Sequence, residues 1–136
     1  MRDFPVVCRF PLHWGEMDAL GHVNNARYFT WFETARIALF REVGIVSEAP
    51  SSTGPILATT TCDFLRPLTY PADLVVGARV SKVGNTSFTM EYAVATEDSP
   101  DTPAARGQGV VVLVDYTTGA KVRIPDPVRE AIAALG

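Results

Sequence analysis

Between His13 and Asn25 the chain reads His13-Trp14-Gly15-Glu16-Met17-Asp18-Ala19-Leu20-Gly21-His22-Val23-Asn24-Asn25. No other stretch holds so many groups able to move a proton, attack an electrophile or orient a polar ligand. Asp18 is the first candidate. A fully solvated aspartate is a weak base at neutral pH, but partial burial beside a helix start and a neighbouring subunit would strengthen it. It could then polarise a water or attack an acyl carbon itself. The plainer alternative is that Asp18 only accepts backbone N–H bonds within its loop. His22 is a rival base, because an imidazole titrates near neutrality, or a residue that merely orients the loop. The backbone N–H groups at Asn24 and Asn25 lie where a helix begins and carry the positive end of its dipole. They are suited to hold an oxyanion. His13, Glu16, Asp18 and His22 lack the helical HExxH spacing of a metal site, so no metal is expected.

The elements on either side must position this segment. Val6 to Trp14 alternates, with Val6, Cys8, Phe10, Leu12 and Trp14 on one side, and reads as a strand. Pro11 makes it an edge strand or one that bulges there. Gly15 to Val23 is a loop, in which Gly21 can take a positive φ. Asn24 or Asn25 can cap a helix running from about Ala26 to Val43, with Gly44 as its stop. The helix is apolar over more than half its circumference, so it is expected to be wrapped on most sides. Glu33 and Arg36, three apart, can pair on the remainder.

After a loop over 47–55, four strand-like stretches follow: Ile56 to Leu65, Leu74 to Val83, Thr86 to Thr96 and Ala104 to Tyr116. In the third, Phe88, Met90, Tyr92 and Val94 share one face. Asp126 is expected to cap a short terminal helix through Leu135, with Pro127 at its first position. Short connections imply antiparallel neighbours. The pattern is α+β: one antiparallel sheet of about five strands around a long helix, in a single domain over 1–136. An open sheet has two bare edges, and pairing them predicts a homo-oligomer.

Composition bounds the rest. A formal charge of −3, with Lys and Arg scattered, gives no field for nucleic acid or an anionic membrane. There is no apolar run of membrane-spanning length and no secretory h-region. Cys8 and Cys62 lack CxxC spacing and read as reduced, packed thiols of a cytoplasmic protein. GxSxG, GxGxxG and phosphate-loop motifs are missing, and no cofactor is expected.

The run Trp14-Gly15-Glu16-Met17-Asp18-Ala19-Leu20-Gly21-His22-Val23, followed by Asn24-Asn25-Ala26-Arg27-Tyr28-Phe29 and Phe32-Glu33-Thr34-Ala35-Arg36, resembles the 4-hydroxybenzoyl-CoA thioesterase family of hotdog-fold acyl-CoA thioesterases. Its His-Val-Asn-Asn piece is also similar to acyl-carrier-protein thioesterases of the same fold. Asp63-Phe64-Leu65-Arg66-Pro67, the turn Val83-Gly84-Asn85-Thr86-Ser87, and Thr118-Gly119 through Ile124-Pro125 extend the likeness over nearly the whole chain. The resemblance implies a hotdog fold, dimers or dimers of dimers, and active sites at the dimer interface. It implies an acyl-CoA substrate, Asp18 as nucleophile or general base, and an oxyanion donor near Asn25. Asn24, Asn25 and Tyr28 would line the acyl entrance. His22 stands where relatives are often apolar, and would share base duty or orient water. Arg66, Lys82 and Arg106 are candidate contacts for the CoA nucleotide, from charge near strand ends. The rival functions are an acyl-carrier-protein thioesterase and a non-catalytic acyl-CoA binder.

Overall fold

A computed structural model describes residues 1–46 and 51–136; part of the loop expected at 47–55 lies outside them. Five strands form one antiparallel sheet: β1 (Val6–Pro11), β2 (Thr53–Phe64), β3 (Asp73–Val83), β4 (Ser87–Thr96) and β5 (Ala105–Asp115). Their spatial order is β1-β3-β4-β5-β2. The β4 alternation is as the sequence implies: Phe88, Met90, Tyr92 and Val94 all enter the core. The β3–β4 connection is tight, with the Gly84 N–H donating to the Ser87 carbonyl at 2.7 Å.

Two expectations are corrected. Short connections imply that β2 and β3 are neighbours, but β1 and β4 occupy the two sides of β3. Residues 65–72 therefore carry the chain across, and β2 pairs with β5 from Thr53↔Asp115 to Phe64↔Ala105. The first strand ends at Pro11, not Trp14. Proline has no N–H to extend a ladder, and after one more bond (Leu12 N–H to the Ala72 carbonyl, 2.8 Å) the chain turns at Trp14–Glu16. Trp14 is consequently 75% exposed.

Helix α1 (Asn25–Val43) follows, with Asn24 as N-cap and Gly44 at φ 81° as C-cap. Gly44 can adopt this left-handed conformation because it has no Cβ. The buried residues Tyr28, Trp31, Phe32, Ala35, Arg36, Leu39, Phe40 and Val43 form one stripe at helical spacing. The expectation of a helix wrapped on most sides fails within one protomer: Phe29, Glu33 and Thr34 are exposed. One sheet has only one face to offer, so the second apolar side of α1 is left open along β2.

Glycine sets how closely α1 approaches the sheet. A Cβ built on Gly107 of β5 would lie 2.3 Å from the Phe32 ring, which stacks on Tyr92 at 4.7 Å and 12°. Gly107→Ala must push α1 outward. We expect a loss of about 1–3 kcal/mol, read by chemical denaturation.

Helix α2 (Asp126–Leu135) starts one residue earlier than expected: Pro125 is the N-cap and Asp126 lies in the first turn, where it pairs with Arg123 at 2.9 Å. Cys8 and Cys62 are free and half-buried. They sit on opposite edge strands, four strand spacings or about 19 Å apart, too far for a disulfide within one chain. Burial, and then the nearby Asp63 carboxylate, push the Cys62 thiol up to about 11.

Candidate functional site

Glu16 builds the frame of the site. Its Oε1 accepts from the His13 N–H at 2.9 Å and its Oε2 accepts from the Trp31 indole N–H at 2.9 Å. Its carbonyl accepts from the Asn24 N–H at 3.1 Å. One residue thus ties the turn before the loop, the N-cap and the first turns of α1 together. The sequence reading weighed Glu16 only as a metal ligand. The spacing His13-x-x-Glu16 ahead of an aromatic helix was the signal for this capping role. Among the described residues no three His, Cys, Asp or Glu side chains gather as a metal site.

Within that frame residues 17–23 form a small hairpin. Met17 bridges Val23, the Asp18 N–H donates to the His22 carbonyl at 2.8 Å, and the Val23 N–H donates to Leu68 at 3.1 Å. Gly21 turns the loop at φ 79°, a conformation that a β-carbon disfavours. Asp18 is half-buried. Its Oδ1 accepts from the Leu20 N–H at 2.9 Å and from the His22 N–H at 3.4 Å. The loop-accepting role and the reactive role are therefore both open to Asp18, because one oxygen holds the loop while Oδ2 takes no hydrogen bond from the described residues.

The helix start is next to it in the hydrogen-bond network. Asn24 Oδ1 accepts from the Ala26 N–H at 2.9 Å, and the Asn24 carbonyl accepts from the Arg27 N–H at 3.0 Å. Among the described residues, no acceptor meets the Asn25 N–H. It is the one donor of the first turn left free of a cap, at the positive end of a 19-residue helix. The structure therefore brings Asp18, His22, Asn24 and Asn25 together, with the His22 ring exposed.

The other predicted residues divide. Tyr28 is 3% exposed, with its ring centroid 4.9 Å from Trp31 and 5.0 Å from Phe64. It is a wall of the core behind the helix start. Burial raises its phenol above the usual range, Cys62 adds to this, and the Arg66 charge opposes it. Arg66 lies at the same end of the sheet, donating to the Thr102 carbonyl at 3.0 Å, with its Nε buried and unpaired among the described residues. Lys82 does not join this group. It is nine residues along β3 from Asp73, about 30 Å towards the opposite end of the sheet. Arg106 is near the same end as Arg66 but on the sheet face away from α1, because strand alternation turns it outward when its neighbour Gly107 faces Phe32. It lines a cleft of about 640 Å³ under the N-terminal segment instead.

A second hollow, of about 320 Å³, lies on the open side of α1, where Arg36, Ile37 and Phe40 face Leu57, Val111 and Tyr116. Helical spacing alone puts Arg36 in a surface pair with Glu33, whereas the fold buries it. Glu33 does approach Arg36, but only to 3.9 Å, and is itself well exposed.

Known proteins of similar sequence and shape fit this geometry. An uncharacterised protein of Bacillus subtilis, YsmA, is 31% identical over 130 residues, 96% of this chain and 86% of that one. A chloroplast acyl-acyl carrier protein thioesterase of Arabidopsis thaliana is 28% identical over 116 residues, 84% of this chain and 60% of that one. The solved structure of a Thermus thermophilus thioesterase complexed with coenzyme A and Zn superposes with a TM-score of 0.84. It is 32% identical, with 99% of this chain and 96% of that one covered. Residues 12–132, which hold the Asp18 hairpin, α1 and all of β2 to β5, match the sequence profile of the thioesterase-like superfamily. The chain belongs to that superfamily, whose shared chemistry is thioester hydrolysis on the hotdog fold.

Proposed function

We propose that this protein hydrolyses an acyl-CoA thioester to a carboxylic acid and free CoA, in the manner of the 4-hydroxybenzoyl-CoA thioesterases. The observation that carries this reading is the division of labour at Asp18: Oδ1 is fixed by two backbone N–H groups, leaving Oδ2 without a described partner in the hairpin that leads into the uncapped Asn25 N–H. Acting as a base, Oδ2 takes a proton from water as the water oxygen bonds to the thioester carbon. The negative carbonyl oxygen is held by Asn25 N–H and the dipole of α1. When the C–S bond breaks, the CoA thiolate recovers the proton from Asp18. Acting as a nucleophile, Oδ2 bonds to the same carbon and expels the thiolate, and water then cleaves the mixed anhydride. His22 or Asn24 orients the water in either route. No cofactor enters.

The site is half of one. β2 is a bare edge, and its exposed apolar residues continue onto the open side of α1. Antiparallel pairing of β2 with its copy gives a dimer in which the Phe64 end of one strand lies beside the Ile56–Leu57 end of the other. That places the open groove of the partner next to Tyr28, Phe64 and Asn25. Such dimers could pair again into tetramers. A cytoplasmic enzyme fits the acyl-CoA substrate, and no described helix is long and apolar enough to cross a membrane.

The similarity to a carrier-protein thioesterase favours a second reading, in which the acyl group arrives on a carrier protein. Thiol release from CoA and carrier-protein forms of one acyl chain separates the two: faster release from CoA supports the first reading, and faster release from the carrier protein replaces it.

Glu16 is a positioning residue for this chemistry. Glu16→Ala strands the Trp31 indole N–H and frees the hairpin. We expect a stability loss of about 1–3 kcal/mol and a kcat lower by up to ~10²-fold through misplacement of Asp18. Glu16→Gln, which keeps one acceptor, recovers part of both. Thermal denaturation and steady-state kinetics read the two effects separately.

A further inference from the structure

Arg36 is a buried cation that the proposed mechanism does not use. Its side chain is 9% exposed, and among the described residues it is the one charged residue that is buried. Its guanidinium has five donor hydrogens. Among the described residues, only Nη1 has a hydrogen-bond partner, the Tyr92 hydroxyl at 3.3 Å. The nearest carboxylate, Glu33, stands off at 3.9 Å and its side chain is 67% exposed. A guanidinium taken out of water normally meets a carboxylate in a paired, hydrogen-bonded geometry. Here its Nε and Nη2 are not sealed off but border the 320 Å³ groove, which Glu33 and Tyr116 also line and whose remaining walls, Ile37, Phe40, Leu57 and Val111 among them, are apolar. The groove has the size of a small-ligand site. It offers a hydrophobic run that ends at a cation whose own neighbouring carboxylate, Glu33, stands off towards solvent.

We propose that Arg36 reads a carboxylate at the far end of the acyl group, so that the preferred substrates are half-thioesters of dicarboxylic acids. The inference rests on the acyl-CoA reading above and deepens it. In the dimer with paired β2 strands, an acyl chain bound at Asn25 of one protomer runs into the groove of its copy, past Phe64 and Leu57. The chain's methylenes take the apolar walls. Its terminal carboxylate meets the guanidinium fork in the two-point geometry that arginine favours. A terminal methyl leaves the charge unpaired, and a doubly charged phosphate would face more desolvation than one cation offsets.

The test uses pairs of hydrolysis-inert thioether analogues of acyl-CoA, matched in length, one ending in methyl and the other in carboxylate. Binding is measured by calorimetry to the wild-type protein, and thiol release is measured with the corresponding thioesters. We expect the carboxylate member to bind at least tenfold more tightly at the length that reaches Arg36, and kcat/KM to follow. Arg36→Met should bring the ratio to about one. Arg36→Lys should retain part of it, which keeps the test decisive if the methionine variant fails to fold. Equal or tighter binding of the methyl member at every length overturns the inference. Hydrolysis of thioesters without such a preference sinks this inference and leaves the catalytic reading standing. Carboxylate-selective binding that depends on Arg36, with no thioester cleaved, sinks the catalytic reading and leaves this one.

Discussion

Asp18→Asn should lower kcat by about 10²–10⁴-fold, the range of a lost proton-transfer group, with thermal stability nearly unchanged. The asymmetry of the carboxylate explains why. An asparagine keeps Oδ1, which can go on accepting from the Leu20 and His22 N–H groups. The 17–23 hairpin and the α1 cap therefore keep their shape. What is lost is Oδ2, the oxygen that no described residue holds, together with its charge. Asp18→Ala removes both oxygens. It should match the loss in kcat and add about 1 kcal/mol of instability, from two loop N–H groups left without their acceptor. KM should move little in Asp18→Asn, since the lost interaction belongs to the transition state. Wild-type turnover in both variants would refute the mechanism. Inactivity of His22→Ala combined with activity of Asp18→Asn would transfer the base to His22. Hydrolysis of one preferred acyl-CoA, followed by thiol release, decides among these outcomes.

The parts of this molecule legible in the sequence are those set by local rules. The β4 alternation, the bounds of α1 from Asn24 to Gly44, and the Gly21 turn each depend on a few adjacent residues. The frame of the candidate site was legible for the same reason, since Asp18 and His22 share one hairpin and Asn24 and Asn25 one helix start. What failed depends on distant partners. β2 lies next to β5 because β3 had both sides filled, and no feature of residues 65–72 announces that crossing. Trp14 left the strand because the Glu16 carboxylate drew His13 into a turn. Charge alone singled out Lys82 and Arg106; strand length puts the first towards the opposite end of the sheet, and strand alternation puts the second on the face away from α1. Arg36 shows the converse: helical spacing offered it Glu33, while the fold buried it against Tyr92.

Charges placed on β2 should separate the protomers and abolish activity together. β2 is 12 residues long and bare along one side. Natural edges are protected by lysines, prolines, bulges or shortness. The proline of β2, Pro55, and its irregularity between Leu57 and Thr59 both lie in its first half; from Thr59 to Phe64 β2 has no such protection, and Asp63 is its only charge. Ile56 is 45% exposed, Phe64 44% and the adjoining Leu65 54%. An edge of this kind is built to be covered, and its copy is the partner that also completes the groove beside Asn25. Thr59 and Thr61 are exposed on it, so Thr59→Lys combined with Thr61→Lys should leave the protomer's own core intact. Near a two-fold axis, each lysine would meet like charges from the partner. We expect sedimentation to shift from oligomer to monomer, the circular dichroism spectrum to be retained, and kcat/KM to fall by about 10²-fold or more as the acyl groove loses its second wall. High salt should restore part of both assembly and activity, since it screens the added charges. A variant that is monomeric, folded and fully active would show that one protomer carries the whole site. It would also remove the dimer on which the Arg36 groove depends for its place beside the thioester.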